Sequence, residues 1–454
     1  MQSSFLLGVS VGESFAEYSL MSDSKPVAQK RVYLSRENLK QSLSQFMTEH
    51  ADKKPQHAFI SLRLPKKLLD YNLSGAVAHI TTEGFEHWLD VCGDANHKLT
   101  SKDLLFSVRE RILADGKVDV ALQEEELDAI AAKLQLIECK KVCLHFLHSS
   151  LNPVHQEKAR LFLQKKGLDV FTPEKTDTPD EVARWNKNAL NATIAGVYAD
   201  RKEEILKALE GFLDAGHIYF LDSVGKIHSG ESSGQVDSLF SAATALGLSV
   251  GVPAKASVLY LGLENFLLIS SGTWNSSWSS PWGPLAVNHL QTKMLGIQPT
   301  LGIHLNEFGR FDFTTHQEGW EPGPMFLGRG QKLSLLDLWS ENAKLTKLQG
   351  LEDRFSAQGI QRAKNSLFAI SKISRTRDND LNHITKEMQS LSMQRLAMEA
   401  FMLRETEKMI VTGPLASVFA NAFKKDPHTV IETQEFSESQ AIALRGYQVL
   451  QETL

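Results

Sequence analysis

Short apolar runs of strand length alternate with longer amphipathic segments along most of this chain, and that alternation restricts it to an α/β fold in which helices cover sheets. The stretch "FLLGVSVGESFAEYSLMSDSKPVAQKRVYL" reads as three strands, the first two joined by a turn of small residues and the next pair by "SDSKP". "RENLKQSLSQFMTEH" follows as a helix with Leu39, Leu43 and Phe46 on one face. "HAFISLRL", "GAVAHITT" and "KKVCLHFLH" are strands, "EEELDAIAAKLQLIE" is a helix, and "NPVHQEKARLFLQKKG" is a helix closed by Gly167 before the strand "LDVFTP". With 454 residues the chain exceeds one small core, and the break near Pro173 gives expected domains of residues 1–173 and 174–454. In the second block "TPDEVARWNKNALNATIAGVYADRKEEILKALEGFLDAG" and "DSLFSAATALGLSVG" are helical, "HIYFLDSVGKI" is a strand pair, and "ITKEMQSLSMQRLAMEAFMLRETEKMIV" is a long helix feeding a strand. The methionines and leucines of that last helix recur at helical spacing and belong to a core.

Composition removes several function classes. A net charge of -5 with no basic cluster excludes the electrostatic footprint of a nucleic-acid binder. No apolar stretch approaches the ~20 residues that span a bilayer, and no positive leader precedes "FLLGVSVG", so a soluble cytoplasmic protein is expected. The three cysteines, Cys92, Cys139 and Cys143, are an odd number and point to a reducing compartment without a disulfide framework. Cys139, Cys143, His145 and His148 are spaced like ligands, but "VCLHFLHSSL" reads as a buried strand and no metal is expected there.

One pattern recurs. "LLGVSVGESFAEYSL" and "FLLISSGTWNSSWSS" each read as strand, small-residue turn and strand. Two such hairpins, one per block, would hold the phosphates of a nucleotide between their backbone N–H groups across a cleft; two unrelated hairpins fit the pattern equally well.

Six segments, in order, carry a more specific signal: the first hairpin, "AHITTEGFEHWLDVCG", "DLLFSVRERILADGKV", "CLHFLHSSLNPVHQEKAR", "VARWNKNALNATIAG" and "EPGPMFLGRGQ". Together they resemble the hydantoinase A/oxoprolinase family over nearly the whole chain. The resemblance implies a two-lobed actin-like fold, shared with sugar kinases and heat-shock chaperone ATPases, with mixed sheets and a central cleft. It implies ATP and Mg²⁺ as cofactors, ATP-dependent hydrolysis of a cyclic amide such as a hydantoin or 5-oxoproline, and a hydantoinase B-like partner subunit. Carried onto this chain, it places cofactor contacts at Gly12, Ser14, Gly272, Thr273 and Gly413, and ligand contacts at Ser10, Arg184 and Arg329.

The departures from the family pattern fall where chemistry would be. The first hairpin's D-x-G-G-T-x-T-D appears with Ser10 for its first acid and Glu13 for a glycine. A neutral hydroxyl is a poor holder of metal-bound water, and Glu13 adds negative charge near phosphate. In the second hairpin Ile269 and Ser276 stand for acids, although Gly272 and Thr273 survive. The family's "GTT" is Ser61, Leu62 and Arg63; "GIQPTLG" keeps Gly296 but inserts Pro299; "TGPLAS" keeps Gly413 and Pro414. These substitutions predict a degenerate nucleotide and metal site, with no assigned catalytic residue and with Asp222, Asp312 and Glu438 as stand-in acids. Two alternatives to the inherited hydrolase follow: a catalytically inactive binding or regulatory subunit, and a small-molecule kinase suggested by "SSGTW" and "ESQAIALRGYQVL".

Overall fold

The computed structural model describes residues 5–34, 38–63, 77–91, 100–173, 180–222, 225–230, 256–275, 278–280, 283–286, 289–317, 319–373, 380–424, 426–431 and 436–453. Two compact units form, each discontinuous in sequence: Met1–Arg63 with Lys202–Thr273 and Leu290–Leu454, and Leu64–Arg201 with Trp274–His289. The expected domains follow the chain in order, whereas the larger unit draws on segments from both sides of Pro173.

In the larger unit, a six-stranded sheet runs Ile227–Ser229, Ile218–Leu221, Pro55–Leu62, Phe5–Val11, Phe15–Ser22, Lys25–Tyr33. The last three form the expected meander. Asp23 and Ser24 turn the chain between the second and third of them at φ of 49° and 64°, a left-handed pair that a tight hairpin requires. Phe5–Val11 pairs parallel to Pro55–Leu62, which makes the sheet mixed. The helix Glu438–Thr453 lies on this sheet, burying Ile442, Ala443 and Leu450 against Leu6, Met21, Phe59 and Leu221. Glycines permit that approach: a Cβ on Gly8 would lie 1.9 Å from the Ser439 carbonyl oxygen, and one on Gly446 would lie 2.1 Å from the Phe59 ring.

A second mixed sheet runs His289–Met294, Phe266–Asn275, Ala256–Leu261, Lys408–Thr412, Thr429–Ile431. One face of it enters a large apolar cluster that includes Leu259, Phe266, Trp320, Trp339, Val411 and Phe419. The helix Leu381–Leu403 contributes Ile384, Met388 and Leu396 to that cluster, so its apolar stripe is core, as its spacing required.

The smaller unit holds a parallel sheet, Asp169–Phe171, Lys141–His145, Val77–Thr82, Leu105–Val108. Buried parallel strands need cover on both faces. The helices Glu124–Leu136 and Val154–Lys165 bury Leu127, Leu134, Ala159 and Leu163 against Ile80, Val142 and Leu144. Gly167, at φ 82°, ends the second helix as expected. The expected helix "DSLFSAATALGLSVG" and Cys92 lie outside the described residues.

Candidate functional site

The antiparallel register of the first hairpin opposes Val11 to Ala16 and Ser10 to Glu17, leaving Gly12, Glu13 and Ser14 as the turn. Successive N–H groups of such a turn point to one side and make a concavity for an anion. Here that concavity is filled from within the chain. The Glu264 carboxylate accepts from the N–H groups of Glu13 (3.1 Å), Ser14 (2.5 Å) and Phe15 (3.0 Å), and it forms an ion pair with Arg63. Gly12 is required by this contact, because a Cβ there would lie 2.6 and 2.7 Å from the two Glu264 oxygens.

Glu264 comes from the turn of a second hairpin, but not the one expected from sequence. Ala256–Leu261 and Phe266–Asn275 pair antiparallel with Leu261 opposite Phe266, so the turn is Gly262 to Asn265. "SSGTW" remains extended inside the strand Phe266–Asn275, so the turn expected within it is not there; the strand Trp278–Ser280 follows, and residues 276–277 between the two lie outside the described residues. Small residues permit a turn without compelling one, and the ladder to Ala256–Leu261 extends as far as Ser270. Gly272 and Thr273 therefore sit on strand backbone, and the turn that suggested a sugar-kinase-like phosphate contact is absent there. Ile269 is buried among Val258, Tyr260, Leu267 and Ala441, a core position rather than the place of a metal ligand. Ser276 lies outside the described residues.

Ser10 has gained an acid from a distance. Its hydroxyl donates to Glu438 at 2.7 Å, across 428 residues, at the start of the helix Glu438–Thr453. Glu438 thus stands apart from the other two candidate acids: Asp222 accepts from the Lys226 N–H and pairs with His228, while Asp312 pairs with Arg395 at 2.7 Å. Burial pushes the Glu438 carboxyl above the usual glutamate range, and the neighbouring Glu17 adds to the rise. Arg63 and hydrogen bonds from Ser10 and Tyr260 oppose it. Glu17 is itself fixed, accepting from Arg31 Nε at 2.6 Å and from the Glu438 N–H at 3.1 Å. Gly413 joins the same neighbourhood at φ 105°, where a Cβ would meet the Leu261 carbonyl oxygen at 2.8 Å and the Tyr260 ring at 2.8 Å.

These groups do not fit a nucleotide triphosphate. The turn donors are spent on Glu264, and a phosphate charge placed about 4 Å from that carboxylate would meet roughly 4 kcal/mol of repulsion per pair of unit charges at an effective dielectric of about 20. Mg²⁺ keeps several waters and is held through one or two carboxylates together with the nucleotide's phosphates. The acid beside Ser10 is already engaged, accepting the Ser10 hydroxyl at 2.7 Å.

Arg184 and Arg329 are the remaining expected contacts. Arg184 is buried and pairs with Glu181 at 3.0 Å, one helical turn away in the smaller unit. Arg329 is half exposed, 3.5 Å from Glu321, and lines a small cavity with Tyr33, Pro322, Leu327 and Arg354. In the smaller unit Thr82 donates to Glu110, which also bonds His155 Nδ1 at 2.7 Å, while Thr82 Oγ1 accepts the Leu147 N–H at 2.9 Å. His79 and His145 meet at 3.0 Å beside the buried Cys143, whose thiol burial pushes up; the three donors lie within 4.8 Å of one another. His148 bonds the Ile112 carbonyl instead of joining them. Sequence reasoning missed Glu264 and treated Arg63 only as part of a lost segment. Neither belongs to a local motif, and an acid in "GLEN" reads as an ordinary exposed turn residue.

Residues 67–167 match the model of the hydantoinase/oxoprolinase N-terminal region. The caprolactamase subunit alpha of Pseudomonas jessenii is 22% identical over 275 residues, 54% of this chain and 37% of that protein. An uncharacterized protein of Methanocaldococcus jannaschii is 28% identical over 165 residues, 33% of this chain and 24% of that one. The aligned regions thus span only about a quarter and about a third of these relatives. Among solved structures, nucleotide-free acetone carboxylase superposes with a TM-score of 0.75 at 14% identity, and the ATP-dependent caprolactamase of P. jessenii with 0.72 at 18%; each comparison covers 97% of this chain and 70% of the other. The fold is the actin-like mixed α/β fold of these neighbours. No described helix is long and apolar enough to cross a membrane.

Proposed function

We propose that this chain, which carries a hydantoinase/oxoprolinase N-terminal region on an actin-like fold, is the hydantoinase A-type binding subunit of an amide-processing assembly and has given up the phosphoryl step. The reading assigns it a hydantoinase B-like partner and a cyclic amide as the ligand class, in keeping with the subunit organisation named for its caprolactamase relative. The observation that carries it is the Ser10–Glu438 contact. Phosphoryl transfer is catalysed largely by positioning and charge neutralisation around a metal. The acid standing at Ser10 instead accepts the Ser10 hydroxyl at 2.7 Å, and its backbone N–H is tied to Glu17 at 3.1 Å.

Thermal stability in millimolar MgATP tests this directly. A site with a Kd of about 10 μM would gain about 2.7 kcal/mol at a hundredfold excess of ligand over Kd. We expect no shift. A clear shift accompanied by phosphate release that depends on a ring amide would overturn the proposal in favour of the second reading, an intact ATP-dependent hydrolase in which Glu438 replaces the missing acid.

The pH dependence of Glu438→Gln checks the state of that acid. The folded pKa is raised above the ordinary 4.5, so the stability tied to this proton is complete below that value and is lost as pH rises through the folded pKa. Glutamine never ionises and suffers no such loss. The Tm of Glu438→Gln minus that of the parent should therefore rise as pH increases above 4.5. A difference that stays flat with pH would show that Glu438 titrates as an ordinary glutamate.

A further inference from the structure

We infer that the turn of the first hairpin is an anion site whose resident ligand is the chain's own Glu264, a latch that ties the turns of the two hairpins together. This rests on the reading that no nucleotide is held there. Three consecutive N–H groups, those of Glu13, Ser14 and Phe15, converge on one carboxylate, which is the donor geometry of a backbone nest. The Arg63 guanidinium adds a charge-matched donor, and the backbone N–H of Arg63 donates to the Val11 carbonyl at 2.8 Å, which ties that residue to the strand leading into the turn. The two charged side chains are largely withdrawn from water, with 13% exposure for Arg63 and 11% for Glu264, which strengthens the pair relative to a surface ion pair. Gly12 supplies the space the carboxylate occupies.

Every recognition element of a small oxyanion site is therefore present and satisfied, but the oxyanion is covalently part of the protein. A tethered ligand acts at a high effective concentration and excludes free anions that offer the same chemistry at ordinary levels. Removing the carboxylate leaves three aligned N–H donors and one guanidinium around a space already open beside Gly12. The ligand class for the opened site is a compact oxyanion, with inorganic phosphate and pyrophosphate as probes.

The test uses the full chain. Inorganic phosphate and pyrophosphate are titrated by calorimetry, at constant ionic strength, into the parent, Glu264→Ala, Glu264→Ser and the double variant Glu264→Ala/Arg63→Ala. The parent should show no binding in the millimolar range. Glu264→Ala should melt lower than the parent without phosphate, recover on its addition, and bind it at least about tenfold more tightly than the parent, with the gain lost in the double variant. Should Glu264→Ala fail to fold, Glu264→Ser carries the test, because it also removes the charge and vacates the space while keeping a polar side chain. A folded Glu264 variant that binds phosphate no better than the parent overturns the latch. Binding of MgATP by the parent with phosphate release that depends on a ring amide overturns the functional reading instead, so the two failures are distinguishable.

Discussion

Replacing Glu110 by Ala should lower stability by about 3–5 kcal/mol, because two buried polar groups, the Thr82 hydroxyl and the His155 ring, each lose an acceptor at a cost of about 1–3 kcal/mol. The Glu110 side chain is fully buried and that of His155 is 7% exposed. Without the carboxylate, the Thr82 hydroxyl and the His155 ring remain in the interior with this acceptor gone. Thr82 also accepts the Leu147 N–H, so the effect extends to the end of the strand Lys141–His145. Glu110→Gln keeps an acceptor and should recover part of the loss. Urea unfolding monitored by far-UV circular dichroism measures both; a loss below about 1 kcal/mol for the alanine variant would contradict the buried network.

Gly8→Ala should cost about 3 kcal/mol or more, at or beyond the upper end of ordinary overpacking, because the added methyl meets backbone. The nearest atom is the Ser439 carbonyl oxygen, at 1.9 Å, and the Ala443 Cβ follows at 2.9 Å. A flexible side chain could swing away, whereas relief here requires the helix Glu438–Thr453 to shift from the sheet. That shift would also part Glu438 from Ser10, so the pH dependence assigned to Glu438 should weaken in the same variant. A Gly8→Ala protein within 0.5 kcal/mol of the parent, by the same unfolding measurement, would show that helix and strand are farther apart than described.

Much of the fold was legible because its signals are local. The meander, the parallel strands of the smaller unit and the helices with apolar stripes follow from periodicity and from turn residues such as Gly167. The resemblance to a known family was legible for the same reason: Thr82, Glu110 and His155 come from three separate quoted segments and meet in one network. Those segments mark a shared interior as much as a shared chemistry. The site was less legible because it is assembled from long-range partners. Ser10 was recognised as a missing acid, but its partner Glu438 was one of three possibilities, with 428 residues between them. Glu264 lies 251 residues from the turn it fills, and the small residues of "SSGTW" lie downstream of the turn at residues 262–265 that carries it.

The packing of Glu438–Thr453 on Phe5–Val11 also has a consequence in time. At about 5–20 residues per second, a ribosome needs roughly 20–90 s to travel from the first strand to the helix that covers it. Until then Leu6, Met21 and Phe59 lack their final cover, whereas the last segment of the smaller unit is made well before that helix. The smaller unit is therefore the part of the molecule able to finish first. The larger one stays open to chaperones, or to another copy's exposed sheet, until its last helix is synthesised.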